Sequence, residues 1–202
     1  ALRAWRSLSR DLAGLADVRP FGNEAARLEG SRELRRREAA DRETLAESRR
    51  TLALMARTLR QAFDASPRWP LGRLVAALGV ARLRTAAAGS EPGAAEAAER
   101  LLAALRARTG YTLPEELRAA GDFPGAALAL GVADAARPGD PGVLYGLAGA
   151  RALSGEDAAA LEALRRAVAA GFCDRRRLDA DPDFDRLHGD PAFEELIRAG
   201  GR

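Results

Sequence analysis

The stretch GDFPGAALALGVADAARPGDPGVLYGLAGARALSGEDAAALEALRRAVAAGF, residues 121–172, decides the fold of this chain. It contains one arrangement twice, because a helix-breaking turn, first Gly121-Asp122-Phe123 and then Gly155-Glu156-Asp157, precedes an Ala-rich segment. The two turn glycines lie 155 − 121 = 34 residues apart. A fixed period of this length is typical of stacked helical hairpins. The sequence therefore predicts two repeated helix pairs in this region.

Small and large apolar residues recur at the same offsets from each turn glycine. Small residues are needed where two helices of a hairpin approach closely, and Leu fills the gap between neighbouring hairpins. Pro138 closes the second helix of the first copy and starts the turn to the next hairpin. The matched residues are Ala126, Leu130 and Ala133 in one copy and Ala160, Leu164 and Ala167 in the other. These matches resemble the tetratricopeptide repeat (TPR) family.

The helices that lead into the two turns fit this resemblance with two departures. In the helix before Gly155, Leu144 occupies the position where the family has a large residue, Leu147 the position of its Leu, and Ala148 that of its small residue. Arg151 replaces the usual aromatic residue. Before Gly121, Leu113 and Leu117 fit, but Pro114 stands where the family has a small residue. We therefore expect the helix before Gly121 to be shortened or to begin at Pro114. A third, degenerate copy is read in Leu78-Gly79, Ala97, Leu101 and Ala104.

The end of the chain resembles the end-of-group pattern of the same family. Residues 171–193 read GFCDRRRLDADPDFDRLHGDPAF and contain two Asp-Pro-x-Phe motifs, which begin at Asp181 and Asp190. Asp caps a helix N-terminus, Pro suits the first helical turn, and Phe covers the apolar end of a stack. The resemblance implies a TPR-like α-α superhelix, a solenoid of antiparallel helix pairs with a C-terminal capping helix.

The rest of the chain is also predicted to be helical, which makes the fold class all-α. Leu2, Trp5, Leu8, Leu12 and Leu15 form the apolar stripe of a first helix, which we expect Pro20 and Gly22 to end. Residues 24–63 predict one long helix or two, with a stripe of Leu45, Leu52, Met55, Leu59 and Phe63. The prolines and glycine of Ser66–Gly72 mark a break, followed by helices over Leu74–Arg84 and Ala94–Arg108.

Four regions are predicted from these patterns. Residues 1–66 form an N-terminal helical region, either degenerate repeats or a long helix pair, and residues 67–106 a degenerate helix-turn-helix unit. Residues 107–172 form two TPR-like repeats and residues 173–202 a C-terminal cap. The chain begins with Ala1, and the resemblance implies the C-terminal part of a larger bacterial multi-repeat or signalling protein, such as a Ser/Thr kinase.

Composition argues against several classes of function. The charge is 32 − 29 = +3 and every basic residue is Arg, which indicates a coding bias rather than a nucleic-acid surface. Acidic residues flank Arg35-Arg36-Arg37 on both sides, so we interpret this run as part of a solvated helix face and expect no nucleic-acid binding. Cys173 is the only cysteine, so no intrachain disulfide forms. No apolar run is long enough to span a bilayer, and we expect no membrane insertion and a cytoplasmic location.

The residue types that carry chemistry lack the partners that catalysis or metal binding needs. Asp179, Asp181, Asp183 and Asp185 alternate as in a calcium loop, but Phe184 occupies the position where that loop needs Gly. His188 is the only histidine, and its pairing with Cys173 has no third orienting group. Glu115-Glu116 and Glu194-Glu195 are placed to favour helix N-termini. We expect no catalytic residue, no cofactor and no metal.

The predicted function is a non-catalytic protein–protein interaction or scaffold module that binds a peptide or partner helix. The resemblance implies that the first helices of the repeats face the ligand on a concave surface. The residues so placed are Arg108, Tyr111, Glu115, Arg118 and Tyr145. Two alternatives stay open: a structural or self-associating segment that uses residues 24–63 as a coiled-coil arm, and an enzyme without a recognisable motif.

Overall fold

The computed structural model describes residues 7, 8, 10–12 and 17–199. These residues form eleven α-helices and contain no β-strand, which confirms the predicted all-α class. We number the helices α1 (Arg19–Gly30), α2 (Arg32–Asp64), α3 (Leu71–Ala77), α4 (Val80–Ala87), α5 (Pro92–Ala107), α6 (Leu113–Ala119), α7 (Phe123–Ala136), α8 (Pro141–Leu153), α9 (Asp157–Ala169), α10 (Arg175–Ala180) and α11 (Pro191–Ala199). A π-helical turn, Arg108–Thr112, joins α5 to α6, and a 3₁₀ helix, Pro182–Leu187, lies between α10 and α11.

The chain divides into two compact units, Ala1–Arg50 and Thr51–Arg202, so α2 contributes to both. In the first unit, α1 begins at Arg19, and the expectation that Pro20 and Gly22 end a helix is wrong. Pro20 lies in the first turn of α1, where its missing N–H costs no helical hydrogen bond. Leu2, Trp5 and Leu15 of the predicted stripe lie outside the described residues. The finer predicted divisions after residues 66, 106 and 172 stay predictions.

Residues 24–63 belong to two helices rather than one, because the chain is non-helical at Ser31. The predicted break after Phe63 is confirmed, since α2 ends at Asp64 and α3 starts at Leu71. The expectation of one helix over Leu74–Arg84 is wrong. Gly79 has φ +67°, a left-handed conformation that ends α3 and sets the start of α4.

Two apolar clusters form the core of the second unit. The first lies where the end of α2 meets α3, α4, α5 and α7, and its largest fully buried members are Leu74, Val80 and Val132. The second joins α7, α8 and α9 to residues 174–199, which we call the C-terminal segment. Leu144, Leu164 and Phe184 are fully buried in this cluster. The Ala and Leu residues matched between the two repeats are all buried.

The two repeated turns have the same backbone structure. Gly121 and Gly155 both take left-handed conformations, with φ +72° and +77°. After α6, the Asp122 N–H donates to the Leu117 carbonyl at 2.8 Å, and after α8 the Glu156 N–H donates to the Arg151 carbonyl at 2.9 Å. These bonds close a helix C-terminus that needs Gly at this position. The 34-residue period of the sequence therefore corresponds to a repeated structural turn.

The last part of the helical chain before Gly121 begins at Leu113, beside Pro114 as predicted, but the helix is not shortened, because it continues α5 through the π-helical turn. α6 contains 7 residues, and the Leu113 N–H donates to the Arg108 carbonyl, five residues earlier, as in a π-helix. Since Pro114 has no N–H, it cannot donate to Gly110, and this α-helical hydrogen bond is absent. The chain nevertheless stays helical from Pro92 to Ala119, which places Arg108 and Tyr111 on the π-helical turn.

The C-terminal segment has the capping chemistry expected from its two Asp-Pro-x-Phe motifs. Asp181 Oδ1 accepts from the Asp183 N–H at 3.1 Å, and Asp190 Oδ1 accepts from the Ala192 N–H at 2.7 Å. Phe184 and Phe193 have no exposed surface, and their ring centroids lie 5.9 Å apart. The aspartates therefore start helical turns, and the two phenylalanines fill the apolar end of the repeats.

Candidate partner-binding site

A groove of about 520 Å³ lies between the last turns of α2 and the start of α6. Its apolar lining consists of Ala56, Leu59 and Phe63 from α2 and Leu113 and Leu117 from α6. Residues three and four positions apart share one face of a helix, which is why Ala56, Leu59 and Phe63 all line the same side. Three charged side chains complete the lining: Arg60, Asp64 and Arg108.

Arg108 is held in place by a bidentate ion pair within its own helical segment. Its Nη1 and Nη2 donate to Glu116 Oε1 and Oε2, each at 2.8 Å, and Nη1 also donates to Thr112 Oγ1 at 3.0 Å. The hydrogen bond from Arg108 lowers the pKa of Glu116, and the same bond raises the pKa of Arg108. Both side chains are exposed, so the pair orients the guanidinium more than it stabilises the fold.

The groove residue Arg60 and two predicted site residues outside the groove lining are exposed. Arg60 is exposed and has no hydrogen-bond or ion-pair partner among the residues described. Tyr111, on the π-helical turn beside Arg108, is 57% exposed. Glu115 is exposed on α6. An amphipathic partner would meet apolar surface at the centre of the groove and charged groups at its edge.

Arg118 and Tyr145 contact the chain's own C-terminal segment instead of an open groove. Arg118 Nη2 donates to Asp183 Oδ1 and Oδ2 at 2.9 and 2.7 Å. The Tyr145 hydroxyl donates to Asp181 Oδ2 at 2.5 Å. Since Tyr145 is only 6% exposed, the expectation that it lies on an accessible concave surface does not hold in this arrangement.

The surroundings of Tyr145 explain its burial. Its ring stacks on Phe172 with centroids 4.3 Å apart, and the Phe184 ring meets it edge-on at 5.4 Å. The Arg177 guanidinium lies over the ring, 4.8 Å from the centroid. Burial, followed by the hydrogen bond to Asp181, raises the pKa of the Tyr145 hydroxyl above its ordinary value.

Because this environment raises its pKa, the Tyr145 hydroxyl should lose its proton only at a higher pH than an ordinary tyrosine does. In a Tyr111→Phe variant, Tyr145 is the remaining tyrosine, so phenolate absorbance reports on it alone. We expect little phenolate at the ordinary tyrosine pKa of about 10. Because the pKa is higher in the folded chain than in the unfolded chain, the contribution to stability is complete below a pH of about 10 and is lost as the pH rises further. Phenolate formation near the ordinary pKa, with helical circular dichroism intact, would contradict this environment.

The predicted site residues are therefore not brought together in one place. Arg108 lines the groove, Tyr111 and Glu115 are exposed on the same helical segment, and Arg118 and Tyr145 face the C-terminal segment. The α2 side of the groove was not assigned to a site from the sequence. The apolar stripe that contains Leu59 and Phe63 was the signal for it, although a stripe alone does not distinguish a groove wall from a core face.

A second cavity, of about 570 Å³, is lined by three arginines but carries little net charge. Arg84, Arg106 and Arg137 share this cavity with Glu99, and Arg106 Nη2 donates to Asp140 Oδ2 at 3.0 Å. The C-terminal ends of α4 and α7, which carry partial negative charge, also border the cavity. Because these negative charges offset the guanidinium groups, we assign no anionic ligand to this cavity.

The sequence candidates for chemistry do not form a site. Cys173 is exposed, and the His188 ring packs edge-on against Phe193 with centroids 5.2 Å apart. Within the described ranges, no group of three or more His, Cys, Asp or Glu side chains is arranged to hold a metal ion. None of the helices in the part of the chain described here combines the length and the apolar character that crossing a bilayer requires.

Comparison of the chain with protein-family models, curated protein sequences and solved structures gives no match. Membership of the tetratricopeptide family therefore stays a prediction from the repeated residues. The evidence for a partner-binding site is the geometry of the α2–α6 groove.

Proposed function

We propose that this chain is a non-catalytic interaction module of TPR type, with stacked antiparallel helix pairs that bind a peptide or a partner helix. The observation that carries the proposal is the open α2–α6 groove. Its walls come from Leu59, Phe63, Leu113 and Leu117, and Arg60 stands unpaired at its edge. Apolar grooves between helices are typical docking sites for amphipathic segments.

The chemistry of the groove indicates the kind of partner it accepts. A volume of about 520 Å³ is suited to one or two large apolar side chains. Arg60 has no hydrogen-bond or ion-pair partner in the described part of the chain, although the Asp64 carboxylate lines the same groove, whereas Arg108 is paired with Glu116. The best ligand is therefore an amphipathic peptide with Leu- or Phe-like anchors and a carboxylate that reaches Arg60.

A matched pair of substitutions on α2 tests this proposal. Ala56 lines the groove, whereas Ala53, one helical turn earlier, is exposed and does not line it. Peptides selected from a displayed library against the full chain should lose affinity by about tenfold or more with Ala56→Arg, because the long side chain fills the groove. Ala53→Arg adds the same charge and should change the affinity by less than about twofold. Equal losses in both variants would exclude the groove as the binding site.

Self-association through α2 is a second candidate, favoured by the exposed leucines of that helix. Leu45 and Leu52, seven residues apart on one face of α2, are 50% and 38% exposed. Exposed apolar residues on a long charged helix are typical of an interaction face. Sedimentation of the full chain distinguishes this function, because a dimer that dissociates in the Leu45→Glu and Leu52→Glu variants supports it. A monomer at all concentrations excludes it.

A further inference from the structure

Arg68, in the segment between α2 and α3, binds the α2 wall of the groove at its end. Its Nε donates to the Phe63 carbonyl at 3.3 Å, and its guanidinium carbon lies 6.0 Å from the centroid of the Phe63 ring. The Phe63 carbonyl belongs to the last turn of α2, where carbonyl oxygens have no partner within the helix. Arg68 therefore satisfies the backbone of a groove-lining residue and contacts its side chain.

The same guanidinium binds Asp122, which follows the α6 wall. Arg68 Nη1 donates to Asp122 Oδ1 at 2.6 Å, and Nη2 donates to Oδ2. The Asp122 N–H in turn donates to the carbonyl of Leu117, which lines the groove, at 2.8 Å. Arg68 and Asp122 are 54 residues apart in the sequence. Through Asp122, Arg68 therefore links the end of α2 to the end of α6.

The Asp122 carboxylate is also held by the start of α7. Its Oδ1 accepts from the Gly125 N–H at 3.0 Å, as the N-cap of that helix. A Cβ atom on Gly125 would lie 2.8 Å from Asp122 Cγ, so glycine leaves the space that the carboxylate occupies. The Arg68 and Asp122 side chains are only 36% and 22% exposed. A forked ion pair to a carboxylate fixed in this way has a defined geometry.

The two walls of the groove are not packed closely against each other. α6 packs closely against α7, whereas no comparable packing joins α2 to α6 within the described residues. The space between them is the groove of about 520 Å³. Met55 and Ala62 hold the opposite face of α2 in the first core cluster. Arg68 is therefore placed to set the spacing between the last turn of α2 and α6.

We propose that Arg68 is a positioning residue of the α2–α6 groove, which fixes the distance between Phe63 on one wall and Leu117 on the other. This inference rests on the proposed function of the groove and adds a residue that does not line it. Supporting contacts that hold a binding surface in one arrangement increase affinity, because the ligand does not have to order that surface. Arg68→Met keeps the apolar stem of the side chain and removes the forked contact.

A distance measurement without peptide tests this role. Nitroxide labels on Gln61→Cys and Glu115→Cys, in a Cys173→Ser background, report the spacing of α2 and α6 by double electron–electron resonance. Both labelled residues are exposed, and neither lines the groove. Arg68→Met is expected to lengthen or broaden the distance between the labels. In the unlabelled chain, the affinity for a library-selected peptide that Ala56→Arg displaces should fall by about fivefold or more.

Arg166→Met is the matched control, because it removes a similar ion pair away from the groove. Arg166 Nη2 donates to Asp134 Oδ2 at 2.6 Å, and neither residue lines the groove. Their side chains are 40% and 14% exposed, close to the values for Arg68 and Asp122. A general loss of stability affects both variants, whereas a positioning role affects Arg68→Met alone. Arg166→Met should therefore leave the label distance unchanged and alter the peptide affinity by less than about twofold.

An unchanged label distance or affinity in Arg68→Met, or equal changes in both variants, overturns the inference, and the groove proposal then stands if Ala56→Arg still removes binding. If Arg68→Met does not fold, Arg68→Lys carries the same expectations, because Lys keeps the charge but cannot make the forked contact. If no selected peptide responds to Ala56→Arg, the proposed function fails, and the label distance alone decides whether Arg68 sets the spacing.

Discussion

Replacing Phe184 with Ala is expected to lower the free energy of unfolding by about 3–5 kcal/mol, the usual cost of emptying a buried phenylalanine site. Phe184 has no exposed surface and lies between the Tyr145 ring at 5.4 Å and the Phe193 ring at 5.9 Å. The substitution removes both ring contacts and leaves a cavity where the C-terminal segment meets α8. Guanidinium chloride unfolding, followed by far-ultraviolet circular dichroism, measures the loss.

An exposed aromatic residue provides the control for this experiment. Tyr111 is 57% exposed on the π-helical turn, so Tyr111→Ala should change the free energy of unfolding by no more than about 0.5 kcal/mol. A Phe184→Ala loss as small as this would show that the C-terminal segment does not pack on the repeats as described. A loss confined to Phe184→Ala would show that the segment is part of the core.

The Leu164→Ala substitution is expected to cost about 2–5 kcal/mol of the free energy of unfolding. Leu164 on α9 is fully buried and belongs to the cluster that contains Leu147 and Phe184. It occupies the position that recurs in the repeat, where Leu fills the space between hairpins. Its truncation should therefore weaken the packing of α9 on α8 and on the segment after it.

Leu54→Ala is the matched control, because Leu54 has the same side chain on a helix but is 62% exposed. It should shift the unfolding free energy by no more than about 0.5 kcal/mol. Similar losses for both leucines would contradict the assignment of Leu164 to the core.

The repeated turns were predictable from the sequence because their causes are local. Gly121 and Gly155 are needed for a left-handed residue at a helix C-terminus, and this need recurs with each hairpin. The buried Ala and Leu positions follow from the same period. Pro114 likewise marked the place where the α-helical hydrogen-bond pattern is interrupted, since a missing N–H acts within one turn. The split at Gly79 was missed because Gly is tolerated inside helices and shows its left-handed φ only in the structure.

The candidate site was less predictable because it depends on contacts between distant residues. Arg118 and Asp183 are 65 residues apart, and Tyr145 and Asp181 are 36 residues apart. The Asp-Pro-x-Phe motif predicted a helix cap at Asp181. Asp181 has that role and also binds Tyr145. The groove wall on α2 also depends on tertiary packing, since one amphipathic stripe supplies both buried Met55 and groove-lining Phe63.

The most direct test of groove binding is amide hydrogen exchange of the full chain with and without a library-selected peptide. Binding in the α2–α6 groove predicts slower exchange in residues 56–64 and 108–117 when the peptide is present. The same measurement with the Ala56→Arg variant should show no such slowing, whereas the Ala53→Arg variant should behave as the unsubstituted chain. Slower exchange only elsewhere in the chain, or the same pattern in the Ala56→Arg variant, would contradict the proposed binding site.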